Sequence, residues 1–243
     1  MRRLARRVAW LALILTFSAR AEALPIIVFG DATVVGGLFA DVNFGSEDTR
    51  GGLLTGSDGS GLFGPYRSYL TFVVPTFVPA TSISSAVLSG FYNDDWDTFD
   101  DRTHSFYQAP TTWTESTITW NNQPGAIGAQ LGGFNAAAAT PGTLLSWDVT
   151  SAFNTAYLAQ DPLFSLLLRA DDETLGAAPI VNNNLEYFAS REFLGGQRAF
   201  RIDVNVVPEP ATVLLFGTGL ALAIRRRRCA RNVPSQDRRA SSG

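Results

Sequence analysis

The side chains of this 243-residue chain that suit chemistry are mostly oxygens and aromatic rings rather than nucleophiles. Five aspartates, Asp94, Asp95, Asp97, Asp100 and Asp101, fall within eight positions and enclose Trp96. Carboxylate oxygens crowded into a loop suit Ca²⁺, which takes about six to eight oxygen ligands in flexible geometry. The stretch lacks the glycine and closing glutamate of an EF-hand loop, and a solvated acidic loop is the other reading the sequence leaves open. Sugars are commonly held by rings stacked on pyranose faces, with polar groups fixing the hydroxyls. Trp96, expected to be exposed within the acidic loop, joins Tyr66, Arg67 and Tyr107 as candidates for that role. Trp113 and Trp120 are expected to anchor the scaffold instead, and Glu115, Arg191 and Glu192 to form a structural, buried ion-pair network.

Catalysis has less to draw on. His104 is the single histidine and is expected to be structural, and no GxSxG or HExxH spacing occurs. The single cysteine, Cys229, lies near the C-terminus, so zinc sites built from several His or Cys ligands are excluded from residues 24–207. Carboxylate pairs for polysaccharide hydrolysis stay open as an alternative, because sequence does not measure their separation. The expectation is a protein that is not an enzyme.

Both ends read as processing segments. Residues 1–23 carry Arg2, Arg3, Arg6 and Arg7, the apolar run Val8 to Phe17 and the small-residue pattern Ala21-Glu22-Ala23. That is the pattern of a secretory signal peptide cleaved before Leu24. At the other end, Pro208, Glu209 and Pro210 lead into the apolar run Ala211 to Ile224 and then into Arg225, Arg226, Arg227 and Arg228. The basic block is expected to stay cytoplasmic. A fourteen-residue run gives a helix of only ~21 Å against a ~30 Å hydrocarbon core, which suits a temporary inner-membrane anchor. Residues 229–243 follow as a cytoplasmic tail.

Between these ends, residues 24–207 hold seven of the 19 arginines and 19 of the 22 carboxylates, a formal charge of −12 against −3 for the whole chain. There is no lysine and no basic stripe. Nucleic acid is therefore not expected as a partner, and direct binding to polyanions through a cationic surface is likewise disfavoured.

Short β-branched and aromatic runs separated by Gly, Pro and Asn predict strands throughout residues 24–206. They fall at 26–29, 32–35, 38–42, 53–54, 66–74, 83–92, 104–109, 117–120, 144–149, 164–168, 185–189 and 200–206. Residues 125–142, rich in Gly and Ala, predict a loop, and Thr150 is expected to cap one short helix over 151–158. No repeat of 20 to 50 residues recurs. The pattern is that of an all-β fold, a two-sheet antiparallel jelly-roll sandwich with one short helix, flanked by the signal peptide and a C-terminal transmembrane sorting helix.

Several stretches resemble the DNRLRE domain, a secreted bacterial β-sandwich that includes an alginate-type carbohydrate-binding module family. They are Gly30-Asp31-Ala32-Thr33-Val34, Arg67 to Phe72, Trp113 to Pro124, Trp147-Asp148-Val149-Thr150, Ser190-Arg191-Glu192 and the closing strand 200–206. Residues 207–228 resemble the PEP-CTERM sorting signal. These resemblances imply an exported carbohydrate-binding protein that associates with extracellular polysaccharide. They also imply processing by an exosortase near Pro208-Glu209-Pro210 and delivery to the cell surface or matrix. A purely structural matrix protein without a defined ligand is the alternative.

Overall fold

Alternating apolar side chains and an aromatic interior set two antiparallel sheets face to face. The structure, a computed structural model, describes residues 23–45, 52–57, 63–76, 82–95, 103–173 and 185–207. Apart from Ser82 and Val207, these belong to one compact unit. The signal peptide, the apolar C-terminal run and its arginines lie outside the described residues. Among the described residues no helix is long and apolar enough to cross a membrane.

The strands are β1 (Leu24–Ile27), β2 (Gly30–Gly37), β3 (Gly52–Thr55), β4 (Phe63–Val73), β5 (Ser82–Asp95), β6 (Thr103–Ala109), β7 (Ile127–Asn135), β8 (Thr143–Asp148), β9 (Leu163–Ala170), β10 (Glu186–Ala189) and β11 (Arg201–Val207), with helix α1 at Thr150–Leu158. One sheet runs β1-β11-β5-β10-β3, with β8 also paired to β5, and the other runs β2-β4-β9-β6-β7. Between them lies an aromatic core. Phe106 packs on Trp147 at 4.6 Å and on Phe200 at 6.1 Å, and Phe188 on Phe134 and Phe200, each at 5.3 Å. Such tilted and edge-on pairs each add about 0.5–1.5 kcal/mol beyond the area they bury. His104 is buried within this layer, stacked on Phe134 at 5.2 Å with Nδ1 3.3 Å from the Thr55 hydroxyl. The lone histidine is a core residue.

Five local expectations change. Residues 117–120 are not a strand: the Thr117 and Ile118 amides turn back to the Thr114 carbonyl at 3.1 and 3.0 Å. Asn122 then takes the place of a partner strand, its Oδ1 accepting from the Thr119 amide and its Nδ2 donating to the Thr117 carbonyl. Residues 38–41 likewise form a turn. The Gly- and Ala-rich stretch expected as a loop contains β7, whose strand state comes from its ladder with β6 rather than from propensity. There Gly133 passes so near β6 that a Cβ would press on the His104 carbonyl. Thr150 is the first residue of α1, not its cap. Its hydroxyl accepts from the Ala86 amide at 2.8 Å, tying the helix to β5, while the Asp148 carboxylate accepts from the Thr150 amide. Finally, Asp94 and Asp95 belong to β5, opposite Tyr187 and Glu186, rather than to a loop.

Inside β5, Gly90 lies against the Phe200 ring, which a Cβ would overlap, whereas a Cβ at Gly125 meets nothing within 4 Å. Gly90→Ala is therefore expected to destabilise by about 1–3 kcal/mol through overpacking. Gly125→Ala is expected to leave stability within about 0.5 kcal/mol of wild type. Denaturant unfolding of both variants checks the pair, and equal stabilities would contradict the packing of β5 on Phe200.

Candidate functional site

The five-stranded sheet has a second face, turned away from the aromatic core. Register places Ala32, Tyr69, Leu167 and Tyr107 in one row across β2, β4, β9 and β6, with Gln130 of β7 beyond. Alternate residues, such as Leu70, Leu166 and Phe106, point to the core. One half of this outer face is apolar and covered. Ile118 is 1% exposed and packs with Ala32, Val34, Tyr69, Ala109 and Leu167, and Trp113 and Trp120 lie against the same cluster. Trp113 also packs edge-on against Tyr69 at 5.5 Å and donates from its indole to the Ser165 hydroxyl at 2.8 Å. Both tryptophans anchor the scaffold, as the sequence led us to expect.

The other half is polar. Arg67 of β4 donates from Nε and Nη2 to the two Glu173 carboxylate oxygens at 2.7 and 2.5 Å. It also donates from Nη1 to Gln123 Oε1 at 3.2 Å, and its guanidinium lies 4.4 Å from the centre of the Trp120 ring. Burial acts to lower the Arg67 pKa, and the hydrogen bonds and charge of Glu173 outweigh it, leaving the guanidinium above its ordinary value. The neighbouring Tyr69 phenol is pushed up by burial to about 12, and it donates to Gln123 Oε1 and to the Pro124 carbonyl. Arg169 of β9 lies over the Tyr107 ring at 4.8 Å, and Nη1 is 3.9 Å from Glu173. Its Nε has no hydrogen-bond partner, nor does the hydroxyl of Ser105, its cross-strand neighbour on β6. A shielded polar atom left unpaired costs about 1–3 kcal/mol, so these two buried atoms are a local cost of the strip and lie out of reach of solvent.

Of the residues proposed for sugar binding, Arg67 and Tyr107 share this face. Tyr66, adjacent to Arg67 on the strand, projects to the opposite face. Trp96, Asp97, Asp100 and Asp101 lie outside the described residues. The sequence reading missed Arg169, Ser105 and Glu173. The available signal was an arginine near the end of the mostly apolar run Leu163–Ala170, where alternation with Leu168 turns it outward.

A separate ionic cluster ties the strand ends together. Arg191 donates to Glu192 at 2.9 Å, to Glu115 at 3.1 Å and to the Phe29 carbonyl at 2.5 Å, while its amide donates to Asp31 at 2.7 Å. Expected as buried, the Arg191 and Glu192 side chains are 39% and 40% exposed; the buried member is Asp31, at 1%. Asp31, Glu115 and Glu192 bring carboxylate oxygens within 4.8 Å of one another, a donor set suited to a cation. The Arg191 guanidinium already supplies a positive charge to both glutamates.

Burial, reinforced by the Glu192 and Glu115 charges and opposed by Arg191, raises the Asp31 pKa from 3.8 to about 7. Between those values the folded chain holds the proton more tightly than the unfolded one. That contribution is complete below about pH 4 and is lost as pH rises through about 7. Unfolding midpoints are therefore expected to fall between about pH 5 and about pH 8, and Asp31→Asn to flatten much of the slope. Burial shifts Glu115 in the same direction and leaves it a residual slope. A wild-type midpoint that rises over this range would contradict the assignment.

With this geometry in place, comparison with known proteins gives two matches. Residues 25–183 match carbohydrate-binding module family 96, and residues 206–228 match the PEP-CTERM protein-sorting motif. No curated protein matches the chain. The first match contains β2, β4, β6, β7 and β9 and every residue of the polar strip, and stops before β10. Because it covers more than half of the sequence, the chain belongs to carbohydrate-binding module family 96, here followed by a PEP-CTERM sorting motif.

Proposed function

We propose that this protein binds polysaccharide through the polar half of the outer face of the five-stranded sheet and associates with the extracellular matrix after exosortase processing. Its ligand is a uronate-containing glycan of the alginate type, and the two-sheet sandwich is read as a jelly roll. The observation that carries the proposal is the strip Arg67–Arg169–Tyr107, where two outward guanidiniums lie beside a half-buried ring within the matched module. A ring to stack on a sugar and donors to meet its oxygens are what a carbohydrate site requires. The family is one of binding modules, and a PEP-CTERM motif marks an exported protein processed at the membrane. Cleavage next to Pro208-Glu209-Pro210, brief inner-membrane anchoring through 211–224 and retention of Arg225 to Arg228 in the cytoplasm belong to the same proposal. So does Ca²⁺ at the acidic stretch 94–101, supported by its five aspartates.

Affinity electrophoresis of the purified protein through gels containing alginate, polygalacturonate or neutral glucans tests the binding reading, with and without calcium. Retardation by a uronate polymer is expected, weakened about tenfold in Arg169→Ala. Dependence on added Ca²⁺, lost with Asp95→Ala and Asp97→Ala together, is expected if the metal takes part. No retardation by any polysaccharide under either condition would favour a purely structural matrix protein.

A further inference from the structure

We infer that Glu173 is an internal stand-in for the ligand: it occupies, between Arg67 and Arg169, the position that the carboxylate of an acidic sugar takes on binding, and thereby sets the charge selectivity of the strip. The inference rests on placing carbohydrate at this strip. Both Glu173 oxygens meet the Arg67 fork, through Nε at 2.7 Å and Nη2 at 2.5 Å, the two-pronged arrangement by which a guanidinium grips any carboxylate. Among the described residues, the ion pairs and hydrogen bonds of the Glu173 side chain go to these two arginines.

One carboxylate does not satisfy both guanidiniums. Arg169 reaches Glu173 only at 3.9 Å, beyond hydrogen-bond range, and keeps an unpartnered Nε. A structural role for Glu173 would be to hold Arg67 in place, yet Arg67 is already fixed from the other side. Trp120 lies under its guanidinium at 4.4 Å, and Gln123, itself anchored to the Trp120 carbonyl at 2.8 Å, accepts from Nη1. The fork therefore stays presented when Glu173 leaves it. An incoming uronate must displace a tethered competitor, and a neutral sugar has no such competitor to displace. Glu173 thus restrains affinity for acidic glycans in a domain whose net charge of −12 already repels them.

Titration calorimetry of Glu173→Gln, which keeps the side-chain shape and removes the charge, separates the roles. The probes are oligomannuronate and its carboxyl-reduced, neutral counterpart. Glu173→Gln is expected to bind oligomannuronate roughly tenfold more tightly than wild type and the neutral oligomer equally well. Equal or weaker binding of oligomannuronate by the variant would overturn the inference. In the wild type, the Arg67 Nε–H resonance is expected to shift when oligomannuronate is added, a readout that does not depend on the variant's folding, and an unmoved resonance would likewise overturn it. If Arg169→Ala leaves wild-type binding intact, the strip itself is misplaced. If Arg169→Ala weakens binding about tenfold and Glu173→Gln gains nothing, only the role of Glu173 falls.

Discussion

The docking of the turn at 113–124 onto the outer face of the five-stranded sheet is the interaction on which the rest of the arrangement depends. A sheet that packs one face on a partner still exposes the other, and here Ala32, Val34, Tyr69 and Leu167 make half of that face apolar. Ile118 seals it, with Trp113 and Trp120 at the margins, and removing a buried aliphatic side chain of this kind typically costs about 2–5 kcal/mol. The turn is in turn held by polar bonds: Asn43 Nδ2 donates to the Glu115 and Ile118 carbonyls at 2.8 and 2.6 Å, and the Asn121 amide donates to the Ala40 carbonyl at 3.1 Å. At its far end the same turn presents Trp120 and Gln123 to Arg67. One connection therefore closes the second hydrophobic layer and also orients a side chain of the polar strip.

Charge is divided between two clusters with different consequences. Around Arg191, three carboxylates outnumber one guanidinium, and the buried member, Asp31, responds with a raised pKa. That cluster joins the chain after β10 to the start of β2 and to the 113–124 turn, so its role is to hold strand ends together. Around Arg67 and Arg169 the balance differs, with both guanidiniums near the Glu173 carboxylate and Asp171 at the Tyr107 hydroxyl, 3.5 Å away. Two arginines thus gather on one strip of a strongly acidic domain, which is where the proposed recognition of an acidic glycan places its donors.

Periodicity made much of the sandwich legible. β11 carries Ile202, Val204 and Val206 at a period of two, and β4 and β9 hold dense aromatic, β-branched and leucine runs, so their positions were legible from sequence. β7 was hidden because its nine residues hold three glycines and one alanine, whose strand state is imposed by pairing with β6. The opposite error arose at 117–120, where a Thr-Ile-Thr-Trp run has strong strand propensity but Thr114 and Asn122 satisfy the backbone locally. Arg67 and Tyr107 were legible as chemistry, whereas their shared face needed register across three strands, β4, β9 and β6. Glu173 was invisible as a site residue because its partner Arg67 is 106 positions away in sequence.

The central claim is that glycan meets the outer face of β4, β9 and β6 beside the docked turn. Chemical-shift mapping by NMR during titration with oligomannuronate tests it most directly. The account predicts perturbations concentrated at Arg67, Tyr107, Arg169 and Glu173, with the opposite sheet of β1, β11, β5, β10, β3 and β8 undisturbed. Perturbations confined to that opposite sheet, or spread without a focus on the strip, would contradict it.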